Sequence, residues 1–192
     1  MPPDAKQGDL LLIIDLQNAY AADGAWACEG SEEVCSRLCR LLESGWAEKT
    51  GTRVMFTQFL APEHPQGVWQ QYNVVNAEVN TDLHANALMP QIAELARKHG
   101  VYTKSVYSSL EVPEIRMAAQ SARRVAVAGV VAECCVLSTA MALIDAGCNV
   151  VWLTDCIAGE NREKAKACEF ILEGLSYLHI TMQTLEEFAA QA

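Results

Sequence analysis

Apolar positions along this chain follow two alternating patterns, short unbroken runs and longer stretches with helical spacing. Leu10-Leu-Leu-Ile-Ile-Asp15, Arg124-Val-Ala-Val-Ala-Gly129 and Asn149-Val-Val-Trp-Leu-Thr154 are nearly unbroken. Runs of that kind predict strands buried on both faces. Thr52–Thr57, Val101–Lys104 and His179–Met182 predict three shorter strands. Between the strands, Ser31 to about Lys49 places Val34, Leu38, Leu41 and Leu42 on one helical face, behind a Ser31 N-cap with Glu32 and Glu33 in the first turn. Further helices are predicted over Ala85–His99, stopped by Gly100, over Pro113–Ser121, over Cys134–Ala146, stopped by Gly147, over Asn161–Tyr177 and over Leu185–Ala190. Gln58–His84, with Pro62, Pro65, Gly67 and several Asn, reads as a long loop.

Strand and helix alternate throughout, which implies parallel pairing through right-handed crossovers. The expected fold is α/β: a three-layer α/β/α sandwich on a doubly wound, mainly parallel sheet of about six strands in a Rossmann-like order. One domain spanning residues 1–192 is expected. Ligands of such sheets sit at the carboxyl ends of the strands. That rule directs attention to Asp15, Gln58, Lys104, Gly129 to Cys135, and Asp155.

Composition narrows the partners. Of 192 residues 51% are hydrophobic and 20% charged, enough apolar material for a core and too much for wholesale disorder. Fourteen basic residues against 24 acidic give a net charge of −10, which argues against nucleic acid or an anionic membrane as partner. Met1 to Asp9 holds no apolar leader segment, and no run approaches the ~20 apolar residues of a membrane span. A cytoplasmic location is therefore expected, where structural disulfides are rare. The eight cysteines then call for another explanation: a metal, a nucleophile or packing.

Asp15 ends a wholly apolar strand, where a carboxylate needs a partner or a task; a cap on the following turn is the plainer alternative. Lys104 also ends a strand, and a solvated ammonium is its plainer reading. Val127-Ala-Gly-Val-Val-Ala-Glu-Cys-Cys-Val136 runs from a strand through a glycine turn into a helix. Cys135 falls in the first helical turn, where unpaired N–H groups and the helix dipole favour a thiolate and an adjacent oxyanion. Two small buried cysteines are the alternative.

Leu11-Leu-Ile-Ile-Asp15-Leu-Gln-Asn18-Ala-Tyr20, Lys104-Ser-Val-Tyr-Ser108 and Gly129-Val-Val-Ala-Glu-Cys-Cys135-Val-Leu-Ser-Thr139-Ala, taken in order, resemble the motifs of the isochorismatase-like cysteine hydrolases. The resemblance runs on through Val150-Val-Trp-Leu-Thr-Asp155-Cys-Ile-Ala158 and covers nearly the whole chain. It implies a catalytic triad of Asp15, Lys104 and Cys135. It also implies an oxyanion hole from the backbone N–H groups of Ala132 and Cys135, and a cis peptide bond between Val131 and Ala132. Ala132 stands where the family usually has Thr, which removes a hydroxyl and leaves the backbone donor.

The implied reaction is hydrolysis of a C–N bond in a small amide, carbamoyl or ureido compound through a thioester on Cys135. Asp15 would move the protons and Lys104 would hold the pair in register. An isochorismatase-type vinyl-ether hydrolase and a redox-sensing relative using Cys134 and Cys135 are the alternatives. Nicotinamidase-like members carry an Asp-x-His and a further His after the second strand. Here that region reads Thr57-Gln-Phe-Leu-Ala-Pro-Glu-His64, so no metal and no other cofactor is expected. Gln17, Phe59, Trp69, Tyr72, Tyr107 and Val131 are the expected contacts of a small-molecule substrate. Trp69 and Tyr72 would alternatively pack against a neighbouring subunit, since relatives are often dimers or tetramers. Cys28 in its loop is an exposed candidate for reactivity, whereas Cys35, Cys39, Cys148, Cys156 and Cys168, like Trp152, are assigned to packing.

Overall fold

Successive residues of a strand point to opposite faces, and in this protein both faces are covered. The computed structural model describes residues 8–192; Met1–Gln7, most of the stretch read for a leader, lie outside the described residues. The strands are β1 (Leu10–Ile14), β2 (Arg53–Phe59), β3 (Val101–Lys104), β4 (Val125–Gly129), β5 (Val150–Ile157) and β6 (Ile180–Gln183). They pair in parallel in the order β3-β2-β1-β4-β5-β6. The helices are α1 (Ser31–Glu43), α2 (Trp46–Thr50), α3 (Val68–Val75), α4 (Ala77–Thr81), α5 (Leu83–Asn86), α6 (Pro90–His99), α7 (Pro113–Ser121), α8 (Leu137–Asp145), α9 (Arg162–Glu173) and α10 (Leu185–Ala190).

The pleat divides the core in two. Leu11 and Ile13 of β1 face a cluster with Val34 and Leu38 of α1, Trp46 of α2, Ile92 of α6 and Phe188 of α10. Leu10, Leu12 and Ile14 face the other way, onto Ile115 of α7, Leu143 of α8 and Leu172 of α9. Trp152 is fully buried in this second cluster, as its mid-strand position suggests. The result is the expected α/β/α sandwich. β1 lies between β2 and β4, and the chain leaves it in opposite directions, so a crevice opens at the carboxyl ends of these strands.

The predicted helices differ from the observed ones where backbone chemistry outranks periodicity. The helix expected from Ser31 to Lys49 is broken because Gly45 takes a left-handed conformation (φ 71°) between α1 and α2. The helix expected from Ala85 starts later, because Pro90 opens α6 after an extended Ala87. Residues 58–84 are not one long loop: β2 runs to Phe59, and α3, α4 and the first half of α5 follow. Polar caps hold this excursion. The Asp82 carboxylate accepts the N–H groups of His84 and Ala85, and Asn86 Nδ2 donates to the carbonyls of Val79, Asn80 and Asp82.

Candidate active site

Three strand ends at the carboxyl edge, those of β1, β3 and β4, bring the site together. After β1 the backbone turns sharply at Asp15, whose φ of 51° is rare for a residue other than glycine and tolerated best by Asp and Asn. The turn sends the Asp15 side chain into the protein, fully buried. Its Oδ2 lies 2.7 Å from Lys104 Nζ, and its Oδ1 accepts the Thr57 hydroxyl at 2.7 Å. Lys104, at the end of β3, reaches across β2 to arrive there; its side chain is also fully buried. Nζ donates to the Val106 carbonyl at 3.1 Å and to Cys135 Sγ at 3.3 Å, and lies 5.2 Å from the centre of the Phe59 ring.

Cys135 arrives from β4. Gly129 has φ 108°, and a Cβ there would lie 2.0 Å from the Ile14 carbonyl oxygen, so only glycine permits the close approach of β4 to β1. The Val130 N–H then donates to Ile14 at 2.9 Å, and the cis peptide bond joins Val130 to Val131, one residue earlier than expected. Ala132 to Val136 form a π-helical turn that leads into α8, so the nucleophile candidate sits on a widened first turn. Thr139 accepts the Ser109 N–H at 2.9 Å and donates to the Ser109 hydroxyl at 3.2 Å, which ties α8 to the segment after Lys104.

The electrostatics correct one expectation. The helix-start argument predicts a lowered Cys135 thiol. Burial, and after it the Asp15 charge, instead push the thiol well above the ordinary cysteine value, and Lys104 opposes this only in part. Burial pulls Lys104 down, but the Asp15 charge and then Cys135 outweigh it and hold the ammonium above the ordinary lysine value. Cys135 therefore rests as a protonated thiol beside the Lys104 ammonium.

A cavity of about 500 Å³ opens onto Cys135. Phe59, Tyr72, Tyr107 and Val131, four of the expected substrate contacts, line it, together with Tyr20, Trp26 and Cys28. Trp69 stands behind this wall, its ring centre 5.0 Å from that of Tyr72 and 5.4 Å from that of Tyr107. Gln17 is elsewhere. Its Nε2 donates to the Phe59 and Asn86 carbonyls and its Oε1 accepts the Phe59 N–H, because a buried amide must spend its bonds inside the protein. Gln17 thus clamps the 58–86 excursion to β1. Ala132 is also corrected: its N–H donates to the Ala158 carbonyl at 2.9 Å, where the end of β5 closes onto the turn. Val131 lines the cavity, and its N–H has no partner among the described residues. Cys28 is buried rather than exposed, and burial pushes its thiol up to about 12. Thr57 and Thr139 carried no signal in the sequence, since single hydroxyls in a strand and a helix look like ordinary packing.

Glu63 and His64, the sequence's nearest approach to a metal pair, are both exposed. Among the described residues no group of three or more His, Cys, Asp or Glu side chains is arranged to hold a metal ion, and no described helix is long and apolar enough to cross a membrane.

The isochorismatase domain family model matches residues 9–172. Among solved structures, the chain is similar to an isochorismatase-like hydrolase from Alkaliphilus metalliredigens (TM-score 0.72, 16% identity, 96% of this chain and 99% of that one). It is also similar to a nicotinamidase/pyrazinamidase from Bacillus subtilis (TM-score 0.73, 18% identity, 92% and 99%). A third similar structure is the pyrazinamidase of Pyrococcus horikoshii in complex with zinc (TM-score 0.69, 16% identity, 93% and 100%). At these identities the likeness is one of fold. No curated protein sequence matches the chain.

Proposed function

The chain belongs to the isochorismatase domain family and has an isochorismatase-like hydrolase fold, and on that footing we propose that it hydrolyses the C–N bond of a small amide, carbamoyl or ureido compound through a thioester on Cys135. The observation that carries the reading is the buried contact of Lys104 with both Asp15 (2.7 Å) and Cys135 (3.3 Å). A buried ion pair contributes little net stability, so its placement against a thiol points to chemistry.

The protonated thiol sets the order of events. Asp15 takes the Cys135 proton as sulfur attacks the substrate carbonyl, and Lys104 keeps the negative charge of the pair balanced throughout. Collapse of the tetrahedral adduct breaks the C–N bond, and Asp15 passes the proton to the departing nitrogen. Asp15 then takes a proton from water, which attacks the thioester; the adduct expels the Cys135 thiolate, which recovers that proton. The Val131 N–H, beside that of Cys135, is the better second donor to the oxyanion, because the Ala132 N–H is already bonded.

Cys135→Ser should fold normally and lose all but about a thousandth of the ammonia-releasing activity on its amide substrate. Ammonia release from a panel of small amides at the wild-type rate by this variant would overturn the mechanism.

A further inference from the structure

The cavity has two chemically different walls. One is aromatic: Trp26, Phe59, Tyr72 and Tyr107, with Tyr72 edge-on to Phe59 at 6.2 Å. Burial raises the Tyr72 and Tyr107 hydroxyls above the ordinary tyrosine value, so both stay neutral. The other wall is charged. Glu133, from the nucleophile's own turn, faces Glu160, two residues before α9, and Lys164 in the first turn of that helix. Lys164 Nζ pairs with Glu160 and lies 3.8 Å from Glu133 Oε1. Two carboxylates therefore share one ammonium, and no other cation among the cavity-lining residues offsets the excess.

Glu133 is the inner of the two carboxylates. Its Oε1 accepts the Glu160 N–H at 3.2 Å, while its Oε2 is buried with no hydrogen-bond partner. A Cβ on Gly159 would lie 2.7 Å from Oε2, so the carboxylate packs directly on that glycine's backbone. After burial, the Glu133 charge does most to raise the Cys134 thiol beside it, and Lys164 opposes it. A substrate carboxylate placed here would meet two like charges and an ammonium already engaged. A cation or a group with several N–H donors would instead complete the wall, while its planar body lies on the rings opposite.

Resting on the amidase reading, we infer that the substrate is a compact planar amide or ureide whose far end carries a cationic group, an ammonium, amidinium or guanidinium, recognised by Glu133 with Glu160. Amides bearing a carboxylate at that end are rejected.

The test uses three aryl amides that differ at one ring substituent: aminomethyl, hydroxymethyl and carboxylate. The expected order of kcat/KM is aminomethyl, then hydroxymethyl, then carboxylate, each step roughly tenfold. Glu133→Gln should lower the aminomethyl to hydroxymethyl ratio roughly tenfold. Lys164→Gln, which leaves both carboxylates uncompensated, should raise it. Lys164→Gln decides alone if Glu133→Gln does not fold, since Glu133 also holds the Glu160 N–H. A preference for the carboxylate, or a ratio unmoved by the variants that fold, overturns the inference. Calorimetric binding of the same compounds to Cys135→Ala protein carries the same expected order. Binding in that order without hydrolysis by the wild type sinks the amidase reading alone. Hydrolysis in the reverse order sinks the charge reading alone, and neither binding nor hydrolysis sinks both.

Discussion

A buried thiol between a carboxylate and an ammonium feels two opposing fields, and at Cys135 burial and Asp15 win. The sign of that balance yields a counterintuitive prediction. Asp15→Asn removes the largest charge that holds the proton on sulfur, so the Cys135 thiol should titrate at lower pH and react faster with iodoacetamide at pH 7–8, by about tenfold for each unit of downward shift. The same variant should lose hydrolysis, because the proton acceptor is gone. Alkylation rates followed against pH by mass spectrometry check this; a slower or unchanged rate would mean that Asp15 does not set the thiol's protonation. Asp15 was legible as sequence because it is a costly charge at the end of an apolar strand, and Cys135 because it sits in the first helical turn after a glycine turn. The direction of the thiol shift was not, since it depends on how deeply the side chain is buried and on a neighbour 120 residues away.

Two reversals, after β1 and after β4, decide where these side chains point. Gly129 is the residue on which the second depends. Gly129→Ala would place a methyl 2.0 Å from the Ile14 carbonyl oxygen in a left-handed backbone conformation. The expected cost is at least about 3 kcal/mol in urea unfolding, with loss of activity in whatever remains folded; a loss below about 1 kcal/mol would refute the close approach. The glycine turn itself is readable in the sequence. The helices α3 to α5 are not, because α3 and α4 bury no side chain and α5 only Asn86. Asp82, Asn86 and Gln17 hold them by hydrogen bonds, so no apolar period marks them.

Across the whole molecule, chemistry and anchorage occupy opposite edges of the sheet. At the amino edge Asp9, just before β1, binds Arg123 Nε at 2.9 Å and Arg124 Nη2 at 2.5 Å, and both arginines also reach Gln191 near the chain's end. Burial raises the Asp9 carboxyl, but hydrogen bonds from Arg123 and Arg124 outweigh it and hold the group below its ordinary value. A carboxyl lowered on folding contributes stability above its unfolded pKa and loses it as pH falls through the folded value. Asp9→Asn should therefore cost about 2 kcal/mol at pH 7 and progressively less below pH 4, read by urea unfolding at both pH values. Its kcat/KM should stay at the wild-type level; an equal cost at both pH values would show that the charge is not the stabilising element. Taken alone, the sequence determined the order of the strands and of the apolar-faced helices between them, the burial of the central strands on both faces, and Asp15 and Lys104 at strand ends with Cys135 at a helix start, because periodicity and the cost of burying a charge are local properties. Only the tertiary structure decided that Lys104 reaches across β2 to Asp15, that the Ala132 N–H is spent on Ala158 while that of Val131 has no partner among the described residues, and that Gln17 is a clamp. Hydrogen-bond partners are assigned by which strands lie side by side, and a sheet ordered 3-2-1-4-5-6 makes neighbours of residues far apart in the chain.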